Sequence, residues 1–359
     1  MRLTEFGLAL LGLVALTPLA SAQRDATRPP PGGQYQGKAF DFRKVAEGVY
    51  LAVGTGNLSA ESNAVVVVND KDVLIVDAET SPAAGWALLK ELKAITTKPV
   101  RYLVITHFHY DHAHGAQAFP PGVEVIGTDF TRRMLAEGKS LSHPTAAGNR
   151  NFSAAQVANF TKALDTAITA ASRRDIAKRR SVWQEYLLSI ATITPVPPNA
   201  TVTGRMTLSR GDRDIVILHP GPAHTAGDLV VWLPKERILA TGDLLQPNLP
   251  YMGDGFIQEW ANALDSLKAL NPAVVLPGHG DAFTDMAVLE RLRDYLRDFW
   301  SQTVALKQED LPFDEAAKRL DLTKYDAYYP RFPGWTDEMV ARRRAATVKR
   351  IYDLVDGVK

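Results

Sequence analysis

Residues 101–112 read Arg101-Tyr-Leu-Val-Ile-Thr106-His107-Phe108-His109-Tyr110-Asp111-His112. The first six form an apolar, β-branched run of strand character, and the last six place four metal-ligand side chains, His107, His109, Asp111 and His112, in one short loop. A side chain binds a metal only if its backbone aims it there. A tight loop leaving a rigid strand can aim all four at one small volume. All eight histidines of the chain lie between positions 107 and 279, a confinement that points to a site.

Short apolar runs surround this segment. Strands are predicted over 49–53, 64–68 and 73–77 before it and over 123–127 after it, with a helix over 82–95. Strand signals return at 215–218, 229–233, 238–241 and 273–276, with a helix over 257–270. Such alternation indicates sheets covered by helices. Residues 129–195 break the pattern and read as a helical insertion. There Val157, Phe160, Leu164 and Ile168 recur at helical spacing, with Ser153 as the start cap. A second helix is predicted from about 174 to 190, and its Arg173, Arg174, Lys178, Arg179 and Arg180 read as a solvated face. From Met286 onward the chain reads as helices broken at Pro312, Pro330 and Pro333, packed on the outer face of a sheet, with a wall of the substrate pocket as the alternative.

With 359 residues, 46% of them apolar, the chain can build a full core as one large domain or two ordinary ones. A formal net charge of +1 gives no basic field for a polyanion, which argues against a nucleic-acid partner. The absence of cysteine means that nitrogen and oxygen must hold any metal. Arg2, the apolar stretch 6–16 and Ala20-Ser21-Ala22 read as a signal peptide over 1–22, which directs the mature chain to the periplasm or outside. Residues 23–40, with Arg28-Pro-Pro-Pro-Gly-Gly33, read as a disordered leader. No later segment approaches the ~18 apolar residues of a membrane span.

Three more strand-to-loop transitions end in ligand-type residues: His219-Pro-Gly-Pro-Ala-His224-Thr-Ala-Gly-Asp228, Thr241-Gly242-Asp243, and Pro277-Gly278-His279-Gly280. Their glycines permit sharp turns and close backbone approach. In this order, with Asp77 ending an early strand, the motifs resemble the metallo-β-lactamase-fold hydrolase superfamily, and especially its glyoxalase-II-like branch. The resemblance spans residues 73–280. It implies an α/β fold, a four-layer αββα sandwich with a dinuclear metal site along one edge of the two sheets. His107, His109 and His224 would hold one metal, Asp111, His112 and His279 the other, and Asp243 would bridge them. Asp77 would support the ligand loop through hydrogen bonds. The metals would be two divalent ions, zinc first, with iron or manganese as alternatives.

Two dications set against Asp111, Asp243 and a bridging hydroxide leave about one positive charge, which favours a developing oxyanion. Asp111 would orient the nucleophile, and Tyr110 and Tyr251 are candidates for substrate contact. His219 reads as a hydrogen-bonded strand-end residue, His114 as packing or support for the ligands, and His143 as a surface residue. The expected function is an exported dinuclear hydrolase that directs a metal-bridging hydroxide at an ester, lactone or thioester carbonyl of a small molecule. True β-lactamases of the superfamily lack a bridging aspartate, so Asp243 sets this chain apart from them. β-Lactam hydrolysis is the enzymatic alternative, and a metal-binding module without turnover is the other.

Overall fold

The computed structural model describes residues 28–330 and 335–358. The expected signal peptide, residues 23–27 and Pro333 lie outside the described residues. One seven-stranded sheet takes β1 (Phe40–Ala46), β2 (Val49–Gly54), β3 (Ala64–Val68), β4 (Val73–Val76), β5 (Val100–Val104), β6 (Glu124–Gly127) and β7 (Ala200–Thr201) in chain order. β1 to β4 pair antiparallel, and β4 to β7 pair parallel. A five-stranded sheet takes β8 (Arg205–Arg210), β9 (Arg213–Leu218), β10 (Val230–Leu233), β11 (Ile238–Gly242) and β12 (Val274–Pro277), of which only β11 and β12 pair parallel. The helices are α1 (Pro82–Leu92), α2 (Tyr110–Ala113), α3 (Asp129–Ala136), α4 (Lys139–Ser142), α5 (Pro144–Thr166), α6 (Ala170–Ile190), α7 (Ile257–Ala269), α8 (Ala287–Gln308), α9 (Phe313–Arg319) and α10 (Asp337–Val355).

The strands are apolar on both faces because both faces are covered. Along β3 and β4, Val65, Val67, Leu74 and Val76 meet Ile215, Ile217, Val231 and Leu233 of the other sheet. The alternate residues Val66, Val73 and Ile75 turn outward to Ala84, Ala87 and Leu88 of α1. On the far side, Val216, Val230, Leu239 and Val275 pack against Trp260 of α7 and Leu292 and Phe299 of α8. The layers therefore run helix, sheet, sheet, helix, as the motifs imply. Val348 and Ile351 of α10 join that last core, so the C-terminal helices do pack on the outer face. Among the described residues no helix is long and apolar enough to cross a membrane.

Three expectations need correction. Ser153 does not cap a helix. It lies within α5, donating from Oγ to the Asn149 carbonyl, and the cap is His143, whose ring accepts from Thr145 N ahead of Pro144. Ile168 is 95% exposed beyond the end of α5, so its helical spacing was fortuitous. Of the expected leader, residues 28–40 are described and pack on the domain. Tyr35 Oη and the backbone N–H groups of Ala39 and Phe40 all donate to the Glu91 carboxylate, and Phe40 begins β1. A Pro/Gly-rich segment folds here because one carboxylate on α1 satisfies its donors. The α5–α6 hairpin is docked on α1 through Tyr186 Oη to Thr80 Oγ1 and through Ala83 N donating to Ser189 Oγ.

Candidate metal centre

The four ligand-type loops leave the same edge of the two sheets and are tied together by backbone. Leu229 N donates to Thr106 O (2.8 Å), Gly278 N to Gly242 O (2.9 Å) and Asn63 N to Gly278 O (2.7 Å). Asn63 Nδ2 also donates to the carbonyls of Pro277 and Gly280, which clamps the His279 loop to the start of β3. Two glycines are required by this closeness. Gly242 has φ +51°, and a Cβ there would sit 2.6 Å from Thr106 Oγ1. A Cβ on Gly278 would collide with Asp243 Oδ1.

All seven candidate ligands converge. His224 Nε2 lies 3.1 Å from His109 Nδ1, and His107 belongs to the same group. In the second group His112 Nε2 is 3.4 Å from Asp111 Oδ2 and 3.3 Å from Asp243 Oδ1. His279 Nε2 is 3.1 Å from Asp111 Oδ2 and 3.3 Å from Asp243 Oδ1. The other oxygen of Asp243, Oδ2, is 3.7 Å from His224 Nε2 in the first group. Bonds of ~2.0–2.1 Å to a tetrahedral ion put its ligand atoms ~3.3 Å apart, so both groups have the right spacing for a cation.

The far nitrogens decide which lone pairs face inward. Thr106 Oγ1 donates its one proton to Asp77 Oδ2 (2.9 Å), so His107 Nδ1 must donate to Thr106 Oγ1 (3.0 Å), which leaves His107 Nε2 bare. His112 Nδ1 donates to Asp77 Oδ2 (2.8 Å) and His109 Nε2 to Asp254 Oδ2 (2.9 Å). The inward atoms His107 Nε2, His112 Nε2 and Asp243 Oδ1 are buried and have no hydrogen-bond partner. Buried polar atoms are rarely left so, and a cation satisfies all three. Asp77 accepts from Thr106 N as well, so it stands behind His112 directly and behind His107 through Thr106. Asp228, whose burial lifts its carboxyl to about 8, accepts from Thr225 N and Oγ1 and so holds the turn that presents His224.

The electrostatics divide the groups. Burial lowers His107 well below its usual value and takes His224 to about 3, with the neighbouring imidazoles acting in the same direction. Burial also disfavours charge on His279, but Asp243 and Asp111 override it and lift the ring to about 10. His112 rises for the same reason, while the two imidazoles hold Asp111 and Asp243 well below the carboxylate range against their own burial. A cation entering the second group therefore competes with protons for His112 and His279.

Sequence reasoning missed Asp254 and misplaced His143. Asp254 lies in the loop after β11 and accepts from His109 Nε2 with one oxygen and from His143 Nε2 (3.2 Å) with the other. Burial opposes its charge, and these two hydrogen bonds override that and keep it ionised. His143 is thus a half-buried link from the insertion to the site, and its ring lies 5.3 Å from that of His109. Flanking glycines, Gly253 and Gly255, are the only local sign of Asp254. Asp254→Asn keeps the shape but cannot reliably accept from both rings. It is expected to weaken metal binding by about 10–100-fold in a chelator competition, and unchanged affinity would remove Asp254 from the support of His109.

The remaining candidates sort by their contacts. Tyr110, a candidate for substrate contact, donates its hydroxyl to Glu61 (2.7 Å) and accepts from Asn149 Nδ2. The Tyr251 ring lies 6.2 Å from that of His109 and remains available. His219 Nδ1 donates to Asp228 O, and His114 pairs with Ser140. Buried Glu79, at φ +77°, is pushed well above the carboxylate range by burial.

The sequence profile of the family described as Metallo-beta-lactamase superfamily matches residues 60–122 and 154–279, more than half of the chain. The chain is 25% identical over 268 residues to a linear primary-alkylsulfatase of a Pseudomonas species, a match that covers 72% of this chain and 49% of that enzyme. It thus spans about half the length of that relative. It is 22% identical over 300 residues to a metallo-beta-lactamase type 2 of Bacillus cereus, covering 80% of this chain and 96% of the other. Among solved structures, a metallo-beta-lactamase from Pontibacter korlensis superposes with a TM-score of 0.51 at 20% identity, over 72% of this chain and 99% of that one. That likeness concerns the fold alone.

Proposed function

The chain belongs to the metallo-beta-lactamase superfamily, and from that premise we propose that it is a dinuclear metal-dependent hydrolase acting on an ester, lactone or thioester carbonyl. The carrying observation is Asp243, whose two oxygens face the two donor groups at 3.3 and 3.7 Å. His107, His109 and His224 form one pocket of donors, and Asp111, His112 and His279 the other. Two divalent cations, zinc being the natural match to imidazole and carboxylate, would supply a strong nucleophile at neutral pH and polarise the carbonyl oxygen.

The chain's own residues do the rest. Asp77 and Asp254 fix the imidazole tautomers, so no reorganisation is needed when a ligand binds. Asp111, beside the partly exposed His279, is placed to orient an attacking water. Tyr251 borders the approach to His109.

The test is a panel of chromogenic ester, lactone, thioester, sulfate ester, phosphodiester and cephalosporin substrates, with and without chelator. Turnover of an ester, lactone or thioester that chelator abolishes and zinc restores is the expected result. Turnover of the cephalosporin alone would make the protein a β-lactamase. Turnover of none would make it a metal-binding module.

A further inference from the structure

Beside the metal centre, the loop of Leu249 and Met252 faces α8, α10, residues of the 322–330 stretch and Trp335 across a cavity of about 430 Å³. That volume falls within the ~300–1,000 Å³ typical of small-molecule sites. Part of its wall is apolar and aromatic, from Leu249, Met252, Phe299, Leu322, Val340 and Trp335. A cluster of tyrosines, Tyr295 against Tyr325 and Tyr329 at 5.1 and 5.4 Å between centroids, closes one side. The polar lining is Arg343, Arg344, Asp326 and Thr347.

Arg343 is the unusual member. Its guanidinium lies 4.7 Å from the Trp335 ring and 5.5 Å from the Tyr251 ring. Half-buried, it makes no hydrogen bond or ion pair with a carboxylate among the described residues. The Tyr251 ring neighbours both Arg343, at 5.5 Å, and His109, at 6.2 Å, so this cavity arginine lies within one aromatic side chain of the metal centre. A desolvated cation stacked on aromatic rings is a ready anchor for an anion. A cavity of this size with apolar and aromatic side chains along part of its wall has room for a hydrocarbon chain.

We propose that this cavity is the tail pocket of the metal centre and that Arg343 is its headgroup anchor. The ligand class is an anionic amphiphile, a medium-length acyl or alkyl chain ending in a carboxylate or sulfate. The inference rests on the hydrolase reading for its role in turnover, but binding in the cavity does not. Val340 in the first turn of α10 and Leu249 opposite it set the volume, and Arg343 sets the preference for charge.

Calorimetric titration of the chelated and the zinc-loaded protein with butanoate, octanoate, octyl sulfate and octanol tests this. Octanoate should bind at least tenfold more tightly than butanoate, since each buried methylene is worth up to about fourfold. Octanol should bind about tenfold more weakly than the better of the two octyl anions, the gap expected for a charge-assisted contact. Comparison of octanoate with octyl sulfate identifies the headgroup. Val340→Trp and, independently, Leu249→Trp should erase the gain with chain length, and Arg343→Gln should erase the gap to octanol, in variants whose thermal unfolding is unchanged. A chain-length gain that survives both tryptophans, or an anion preference that survives Arg343→Gln, overturns the proposal. Binding as expected with no turnover on any substrate would sink the hydrolase reading alone. Turnover of short esters with no octyl binding would sink the tail pocket alone.

Discussion

Asp243→Ala is expected to remove at least one of two bound metal ions and to lower kcat/KM by about three orders of magnitude or more. The side chain turns one carboxylate oxygen to each group, and its loss takes negative charge from each cation at once. It also leaves His112 and His279 with Asp111 as the carboxylate they share, beside Asp77 behind His112. Metal-dependent activation contributes several kcal/mol to barrier lowering, and ~4 kcal/mol corresponds to about a thousandfold in rate. Elemental analysis of the purified variant gives the metal count, and the chromogenic panel gives the rate. Two ions per chain together with undiminished turnover would show that Asp243 bridges nothing.

Asp77 is the second large effect, and it separates folding from metal binding. Its carboxylate accepts three hydrogen bonds from buried donors: Thr106 N, Thr106 Oγ1 and His112 Nδ1. Asp77→Ala strands all three, and breaking one side of a buried polar cluster costs about 3–5 kcal/mol. The backbone adds to this, because residue 77 sits at φ +65°, where Asp and Asn are tolerated and Ala is strained. Denaturant unfolding should show that loss. Asp77→Asn restores the shape, the backbone tolerance and one acceptor, so much of the stability returns. Its amide nitrogen, however, donates towards Thr106 and His112, which drives the His112 proton onto Nε2, the atom that faces the cation. Stability near wild type with metal affinity well below it is therefore the expected result for Asn. A metal affinity equal to wild type would mean that tautomer control by Asp77 does not matter.

Much of this was legible in the sequence, for stated physical reasons. The central strands were visible because burial on both faces makes them continuous apolar runs, as in Ala64-Val-Val-Val-Val68. The ligand loops were visible because glycine, aspartate and histidine follow those runs directly. What stayed hidden lacks a local signature. β8 alternates Met206 and Leu208 with exposed polar residues at a sheet edge, which is a weak pattern. The packing of residues 28–40 depends on Glu91, some fifty positions away. The contact between His143 and Asp254 joins residues 111 positions apart, and periodicity carries no information about such pairs. The same holds for Arg343, whose meaning comes only from the Tyr251 and Trp335 rings beside it.

The helical hairpin begins at His143, and that residue reaches Asp254 behind a candidate ligand. Anyone who pares the protein down to a minimal catalyst by excising the hairpin would be cutting a tie-rod rather than an ornament. The severed scaffold would keep all seven donors yet let the His109 ring swivel.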